Sequence, residues 1–471
     1  MMTTNLSQRS LSHPITLLTR LAYGVGDFGP SMAGNTLMVF FFFFLTTVAG
    51  LSPDRAGLIL CLSQGWSAVS TLCIGALSDR TQSSWGRRRI WLLSSAPILG
   101  LSFWLHWWVP PGGEWLRFSY FLLMALLFQT AGNAFTIPYG ALLTDLSDRH
   151  DEHIRLNGFR FGFSLSGCIL SLLLAQGMDR WISQPQQRVF NLGLIGAIVI
   201  VLSILSCCWG VTEAPSIHSQ VQPRNESPQQ ALQTWWQLLY NRPLLLLAGI
   251  YAGSWLALQI TPTLLPYFIV YCLQRDSSAI PQLVLLMQGT ALATLFLWER
   301  LSQAIGKRLV FWAGTSLWIL AALQLLDLRP GQTSLLYMLS VLIGFGMSTV
   351  YLIPLSLLPE VAAIDEQHTG NRREGLLYSV LVFLQKIALA IGLLFVGQVL
   401  ASADFQQAVP GPIQLVQPTS ALAMIRALTA FIPVLSLLAS LWLMSLYEAC
   451  PSLSMQKQLR LQLVRVSSQS K

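Results

Sequence analysis

Apolar residues run along this chain in long unbroken stretches, not in the spaced stripes of soluble helices. Twelve segments supply roughly the 20 apolar residues that one helical crossing of a bilayer needs: 17–45, 56–77, 89–109, 118–143, 157–176, 189–211, 243–270, 281–298, 308–327, 333–358, 376–401 and 422–447. The first passes through Phe40-Phe41-Phe42-Phe43-Phe44, which is apolar on every side. Only 212–240 breaks the pattern at length, being rich in Pro, Ser and Gln, and it parts six segments from six. The pattern predicts an all-α membrane protein. An N-terminal six-helix half over 1–211 is followed by a cytoplasmic linker over 212–240. A C-terminal half over 241–450 and a cytoplasmic tail over 451–471 complete it. Pro262 and Pro266 in the seventh segment predict a kink or a break toward its outer end.

Composition narrows the class. Hydrophobic residues make up 53% of the chain and charged ones only 10%, against about 25% charged in soluble domains. That excludes a soluble enzyme, a disordered chain and an ordinary nucleic-acid binder. The seven Cys and six His are scattered without metal-ligand spacing. No Walker A, haem or flavin motif occurs, so neither a cofactor nor ATP drive is expected. The polar start is not followed by a short apolar stretch and small-residue cleavage site, so no cleaved signal peptide is expected.

Charge then orients the helices. With a cytoplasmic N-terminus, 19 of the 28 Lys and Arg fall on the inner side and 7 on or near the outer side. That asymmetry predicts both termini in the cytoplasm of a multi-pass plasma membrane, a bacterial inner membrane by expectation. Two six-helix halves with internal termini are the layout of a secondary transporter of the major facilitator type, with its substrate near the midplane.

Local motifs carry a narrower resemblance. The loop after the second segment reads Asp79-Arg80-Thr81-Gln82-Ser83-Ser84-Trp85-Gly86-Arg87-Arg88-Arg89. Near the start stands Tyr23-Gly24-Val25-Gly26-Asp27-Phe28-Gly29, and the fourth segment ends Ile137-Pro138-Tyr139-Gly140-Ala141-Leu142. Arg155-Leu156-Asn157-Gly158-Phe159-Arg160 follows, and the second half contains Asp365-Glu366-Gln367-His368-Thr369-Gly370-Asn371-Arg372-Arg373-Glu374-Gly375. Together these motifs resemble the glycoside–pentoside–hexuronide cation symporters, the family of melibiose permease. The resemblance implies alternating-access transport of a sugar or glycoside by a monomer. Lys386 stands at the family's lysine in the eleventh span. The charged boxes, with Asp79, Arg80, Arg87 and Arg88 in one half and Asp365, Glu366, Arg372, Arg373 and Glu374 in the other, are read as a cytoplasmic gate.

The chain also departs from that family. Its cation site uses two aspartates in W-D-x-x-x-D-P, but here the stretch is Trp66-Ser67-Ala68-Val69-Ser70-Thr71-Leu72. Aspartates expected in the first and fourth spans fall at Ser31 and Thr136. Four acids are gone, so H+ is expected over Na+ as coupling ion. Lys386 and Arg160 remain at membrane depth, where ionisable groups mark function by default. Lys386 either faces the cavity or pairs with Asp27 or Glu360; Arg160 either lines the cavity or reaches back to the interface. Asn35, Gln64, Gln129, Asn133, Tyr139, Trp255, Gln259, Tyr351 and Gln385 are the polar and aromatic candidates for a carbohydrate site. Trp255 and Gln259 share a helix face. A lysolipid-like or anionic amphiphilic substrate, or an uncoupled facilitator, is the alternative.

Overall fold

The computed structural model describes residues 16–146, 150–181, 185–211, 240–370, 374–407 and 417–448. The linker assigned to 212–240, apart from Tyr240, and the tail at 451–471 lie outside the described residues. The described chain is helical: α1 Leu17–Val25, α2 Phe28–Thr47, α3 Pro53–Arg80, α4 Arg89–Leu105, α5 Glu114–Leu146, α6 His150–Trp181 and α7 Pro185–Gly210. Then come α8 Arg242–Tyr267, α9 Ala279–Ile305, α10 Lys307–Gln324, α11 Thr333–Thr369, α12 Glu374–Ser402 and α13 Thr419–Glu448. Among the described residues eleven spans are long and apolar enough to cross a membrane, α1 and α2 together forming the first. The twelfth, α4, has 17 residues and a length of about 25 Å. All twelve expected segments are therefore helical, most of them longer than their apolar cores.

Two local features differ from the simple pattern. The first span turns tightly between α1 and α2, where the Gly26 and Asp27 amides donate to Tyr23 and Gly24 three residues back. Of the kink or break expected at Pro262 and Pro266, the break does not occur. Helix α8 continues through both prolines to Tyr267, and a π turn, Phe268–Cys272, follows. Every residue from 260 to 273 is buried, so protein rather than lipid surrounds the altered backbone, the setting in which such irregularity is tolerated.

Successive helices run in alternate directions. Loop 81–88, Gly306 and the α11 end at Gly370 therefore share one end of the bundle, called here the basic side; the other end is the outer side. Helix α4 packs on α5 and α7, and α2 on α6 and α7; later in the chain α8 packs on α13, and α11 on α9 and α10. Among the described residues the main packing between the first seven helices and the last six is of α3 with α12, α2 with α8, and α6 with α9.

Part of this seam lies on the outer side. Thr46 Oγ1 lies 2.6 Å from the Tyr267 hydroxyl, which also donates to the Phe42 carbonyl at 3.0 Å. Thr263 Oγ1 donates to the Met38 carbonyl at 2.9 Å. Where α3 crosses α12, a Cβ on Gly397 would sit 2.4 Å from the Pro53 carbonyl and 2.9 Å from Gly57 Cα. Paired glycines let the two backbones touch, the usual way membrane helices approach closely.

Candidate functional site

Helix α12 carries Lys386 midway along its length, facing α3 and α5. Its ammonium donates to Thr71 Oγ1 at 2.8 Å and Ser67 Oγ at 2.9 Å, and reaches the Ser67 carbonyl and Asn133 Oδ1 at 3.4 Å. The oxygens are held in place by one another. Thr71 donates to the Ser67 carbonyl at 2.7 Å. The Asn133 amide nitrogen donates to that carbonyl at 3.0 Å and to Ser70 Oγ at 2.7 Å. A carbonyl can only accept, so the Asn133 side chain must turn its nitrogen to Ser67 and its oxygen to Lys386. Ser67, Ser70 and Asn133 are buried. Asp27 and Glu360, the expected acidic partners, bind Arg160 and Lys307 instead. Both pairings expected for Lys386 are thereby corrected: its partners are four neutral oxygens.

A second charge centre lies within the first seven helices. Asp27 occupies the turn between α1 and α2, and its Oδ2 accepts from Arg160 Nε on α6 at 2.9 Å. The guanidinium also lies over the Tyr139 ring, 4.9 Å from its centroid, a cation–π contact. Tyr139 stacks on Tyr23 with centroids 4.7 Å apart, and their hydroxyls bond each other's carbonyls. Tyr139 is completely buried, so this candidate belongs to the packing of the first half and not to a cavity wall. Arg160 is anchored inward to Asp27.

The remaining polar candidates divide by neighbourhood. Ser31 Oγ pairs with Ser164 Oγ on α6 at 2.6 Å. Asn35 donates to Ser171 Oγ at 2.9 Å and accepts from Gln288 Nε2 on α9 at 2.7 Å, so one amide chain crosses from α6 to α9. Gln129 is partly buried one turn before Asn133, and Thr136 is exposed on α5. Trp255 on α8 stands between Tyr251 and Tyr351, with centroids 5.4 and 5.7 Å away. One turn beyond Trp255, Gln259 turns a buried Oε1 with no hydrogen-bond partner among the described residues. Tyr351 lies at the middle of α11 yet is 37% exposed, as a side chain facing an internal space would be.

A cavity of about 380 Å³ runs from Lys386 toward the basic side between α3, α5 and α12. Thr71, Leu72, Gly75, Ile137, Tyr378 and Phe383 are among its lining residues, so its walls are mainly apolar and its deep end is cationic.

At the mouth of the bundle, Arg88 binds Asp79 at 2.7 Å and Ser78 Oγ at 2.7 Å, while Arg87 binds Asp145 at 3.3 Å. These charges pair among α3, α4 and α5, within one half. Arg80 is exposed. Asp365 is buried and accepts from Asn241 Nδ2 at 3.3 Å, while Glu366 is exposed. Arg372, Arg373 and the Glu374 side chain lie outside the described residues.

The sequence reading missed Asp145, Ser70, Ser164, Ser171, Gln288 and Tyr378. Asp145 and Ser70 carried a signal, since Asp145 follows the Ile137–Leu142 motif by three residues and Ser70 lies between Ser67 and Thr71. Tyr378 had none, because which face of α12 it takes depends on the crossing with α3.

Comparison with known proteins agrees with this architecture. Residues 22–449 match the MFS/sugar transport protein family. An uncharacterized symporter of Synechocystis sp. is 33% identical, covering 94% of this chain and 96% of its own. The sodium-dependent lysophosphatidylcholine symporter 1 of Xenopus tropicalis is 23% identical, covering 98% of this chain and 92% of its own. Among solved structures, the nucleoside transporter NupG superimposes with a TM-score of 0.64 at 13% identity, over 92% of this chain and 100% of that one. The chain therefore belongs to the MFS/sugar transport family, whose members are membrane transporters rather than enzymes, and within it to the melibiose-permease-like symporters that its motifs resemble, with the twelve-helix major facilitator fold.

Proposed function

We propose that this protein carries a sugar or glycoside across the membrane by alternating access between two halves, 1–211 and 241–450. The observation that carries the reading is the asymmetry of the seam. The hydrogen bonds described between the halves lie on the outer side and at mid-depth around Asn35 and Lys386, and a cavity between α3, α5 and α12 leads from Lys386 toward the basic side. Carbohydrate needs hydroxyl partners and an aromatic surface for its apolar face. Trp255, with Gln259 one turn on, supplies such a pair; Asn35, Gln129 and Asn133 add amides, and Ser31, Thr136, Asp27 and Arg160 frame the first half of the path. In this reading the basic side is cytoplasmic, in keeping with its excess of Lys and Arg. The boxes at 79–88 and 365–374 close that side in the opposite state, and the unit is a monomer.

One observation favours a second substrate class. The apolar walls and cationic end of the cavity suit an anionic amphiphile of the lysolipid kind. Uptake into proteoliposomes decides between them. Radiolabelled glycosides accumulating above empty-liposome background, with loss in Trp255→Ala, supports the first reading. Transfer of a fluorescent lysophospholipid with no glycoside uptake would replace it with the second.

A further inference from the structure

Cation symporters couple transport to an ion from solution, and one relative of this chain is named as sodium-dependent. The junction of α3, α5 and α12 has the oxygen count of a cation site: Ser67 Oγ, the Ser67 carbonyl, Thr71 Oγ1 and Asn133 Oδ1 converge on one point. Two features make it unfit for Na+. All four oxygens are neutral, so no carboxylate neutralises the ion's charge in a low-dielectric site. The point where the oxygens converge is already filled by the Lys386 ammonium, and a second cation a few ångströms away in a low-dielectric site is repelled.

We propose that Lys386 is a built-in cation: its tethered ammonium fills the oxygen cage between the halves, and the protein binds no Na+ there. The geometry argues for more than a helix contact. A lysine serving only as a helix spacer needs room for its chain, or one partner for its head. Here three residues on two helices orient four acceptors toward Nζ, and each is positioned by further bonds to Ser70 or to another member of the set. Asn133 is turned so that its oxygen, not its nitrogen, faces the ammonium. That polarity turns away an acceptor and receives a donor such as the ammonium. The cage joins α12 of one half to α3 and α5 of the other, so the bond to the cation is also a bond across the seam.

The inference rests on the transport reading only for its consequence, Na+-independent uptake, and its test needs no substrate. Purified full-length protein is assayed for binding of radiolabelled sodium, and its melting temperature is compared in NaCl and N-methylglucamine chloride at equal ionic strength. The wild type is expected to show no saturable sodium binding and the same melting temperature in both salts. Lys386→Ala removes the atoms from Cγ to Nζ, a fragment with the shape and charge of n-propylammonium. That variant is expected to melt lower than wild type. n-Propylammonium should raise its melting temperature while leaving wild type unmoved, and n-propanol, uncharged and of similar shape, should not.

Saturable sodium binding by wild type would overturn the proposal. So would equal response of Lys386→Ala to n-propanol and n-propylammonium, which would mark the site as packing alone. If Lys386→Ala does not survive purification, the wild-type sodium measurement still decides. A protein that moves glycosides and also binds Na+ would sink this inference and leave the transport reading standing. A protein that moves none of the tested substrates leaves the sodium result unaffected.

Discussion

The crossing of α3 and α12 makes a quantitative prediction. In Gly397→Ala the new Cβ would stand 2.4 Å from the Pro53 carbonyl and 2.9 Å from Gly57 Cα, where ordinary contact begins at 3.4 Å. Both neighbours are backbone, so no side chain can swing aside, and the helices must part by up to about 1 Å. Overpacking of this kind costs about 1–3 kcal/mol. Gly57→Ala meets the Leu393 carbonyl at 2.9 Å and Gly397 Cα at 3.0 Å, so it strains the same contact. Once one substitution has parted the helices the second is easier, and the double variant should lose less than the sum of the two. Gly65 on α3 has no atom within 4 Å of its added Cβ. Gly65→Ala should be neutral or gain up to about 1 kcal/mol of helix propensity. Thermal unfolding in detergent measures all four. If the outer seam closes in only one state of the cycle, the same 1–3 kcal/mol shifts the two states by about 5- to 150-fold. Thr46, completely buried in that seam, reports the shift: maleimide labelling of Thr46→Cys should rise when Gly397→Ala is added. Unchanged melting and labelling in Gly397→Ala, or an equal loss in Gly65→Ala, would refute the close-contact account.

Other predictions concern charges and hydroxyls. Arg160→Met strands the Asp27 carboxylate, which is only 15% exposed, and should cost about 3–5 kcal/mol. Adding Asp27→Asn should recover much of that loss in the same unfolding assay. Arg55 and Glu114 meet at 2.5 Å on the outer side, each a quarter or more exposed, so Glu114→Gln should cost at most about 1 kcal/mol and less at high salt. Tyr139→Phe removes the donor to the Tyr23 carbonyl and should lower stability by about 1 kcal/mol; an unaltered melting temperature would show that stacking on Tyr23 and Phe135 suffices.

What could be foreseen from the chain and what could not follow different physics. A helix across a bilayer satisfies its own backbone, so length and hydropathy alone located the twelve segments. Lys386 and Arg160 were legible as functional candidates because a charge at the centre of a span costs about 2.5–3.5 kcal/mol and must be compensated. The compensation itself was not legible. Asp27 is separated from Arg160 by 133 positions and Thr71 from Lys386 by 315, and only the packing of α1 on α6 and of α3 on α12 brings them together. Tyr139 misled for a related reason. A tyrosine in a span reads as a cavity hydroxyl until its ring is found between Tyr23 and Phe135, with Arg160 over its face. The prolines of α8 do not break it, and the surroundings that hold 260–273 buried are not legible from the helix alone.

The placement of these charges bears on how two halves of such a protein separate. Asp27 and Arg160 sit in the same half, so their ion pair travels intact through any motion of one half against the other. Asp79 and Arg88, and Lys307 and Glu360, are likewise paired inside their own halves. Across the seam the described polar contacts are made by neutral groups, save for one cation, Lys386. Parting α12 from α3 and α5 exchanges four neutral oxygens for water around the ammonium and leaves no buried carboxylate behind. An aspartate at position 67 or 71 would turn that step into breaking a low-dielectric ion pair, which costs several kcal/mol more. Serine and threonine at those positions therefore give the ammonium oxygen partners without a carboxylate, and so keep the tethered cation from locking the halves shut.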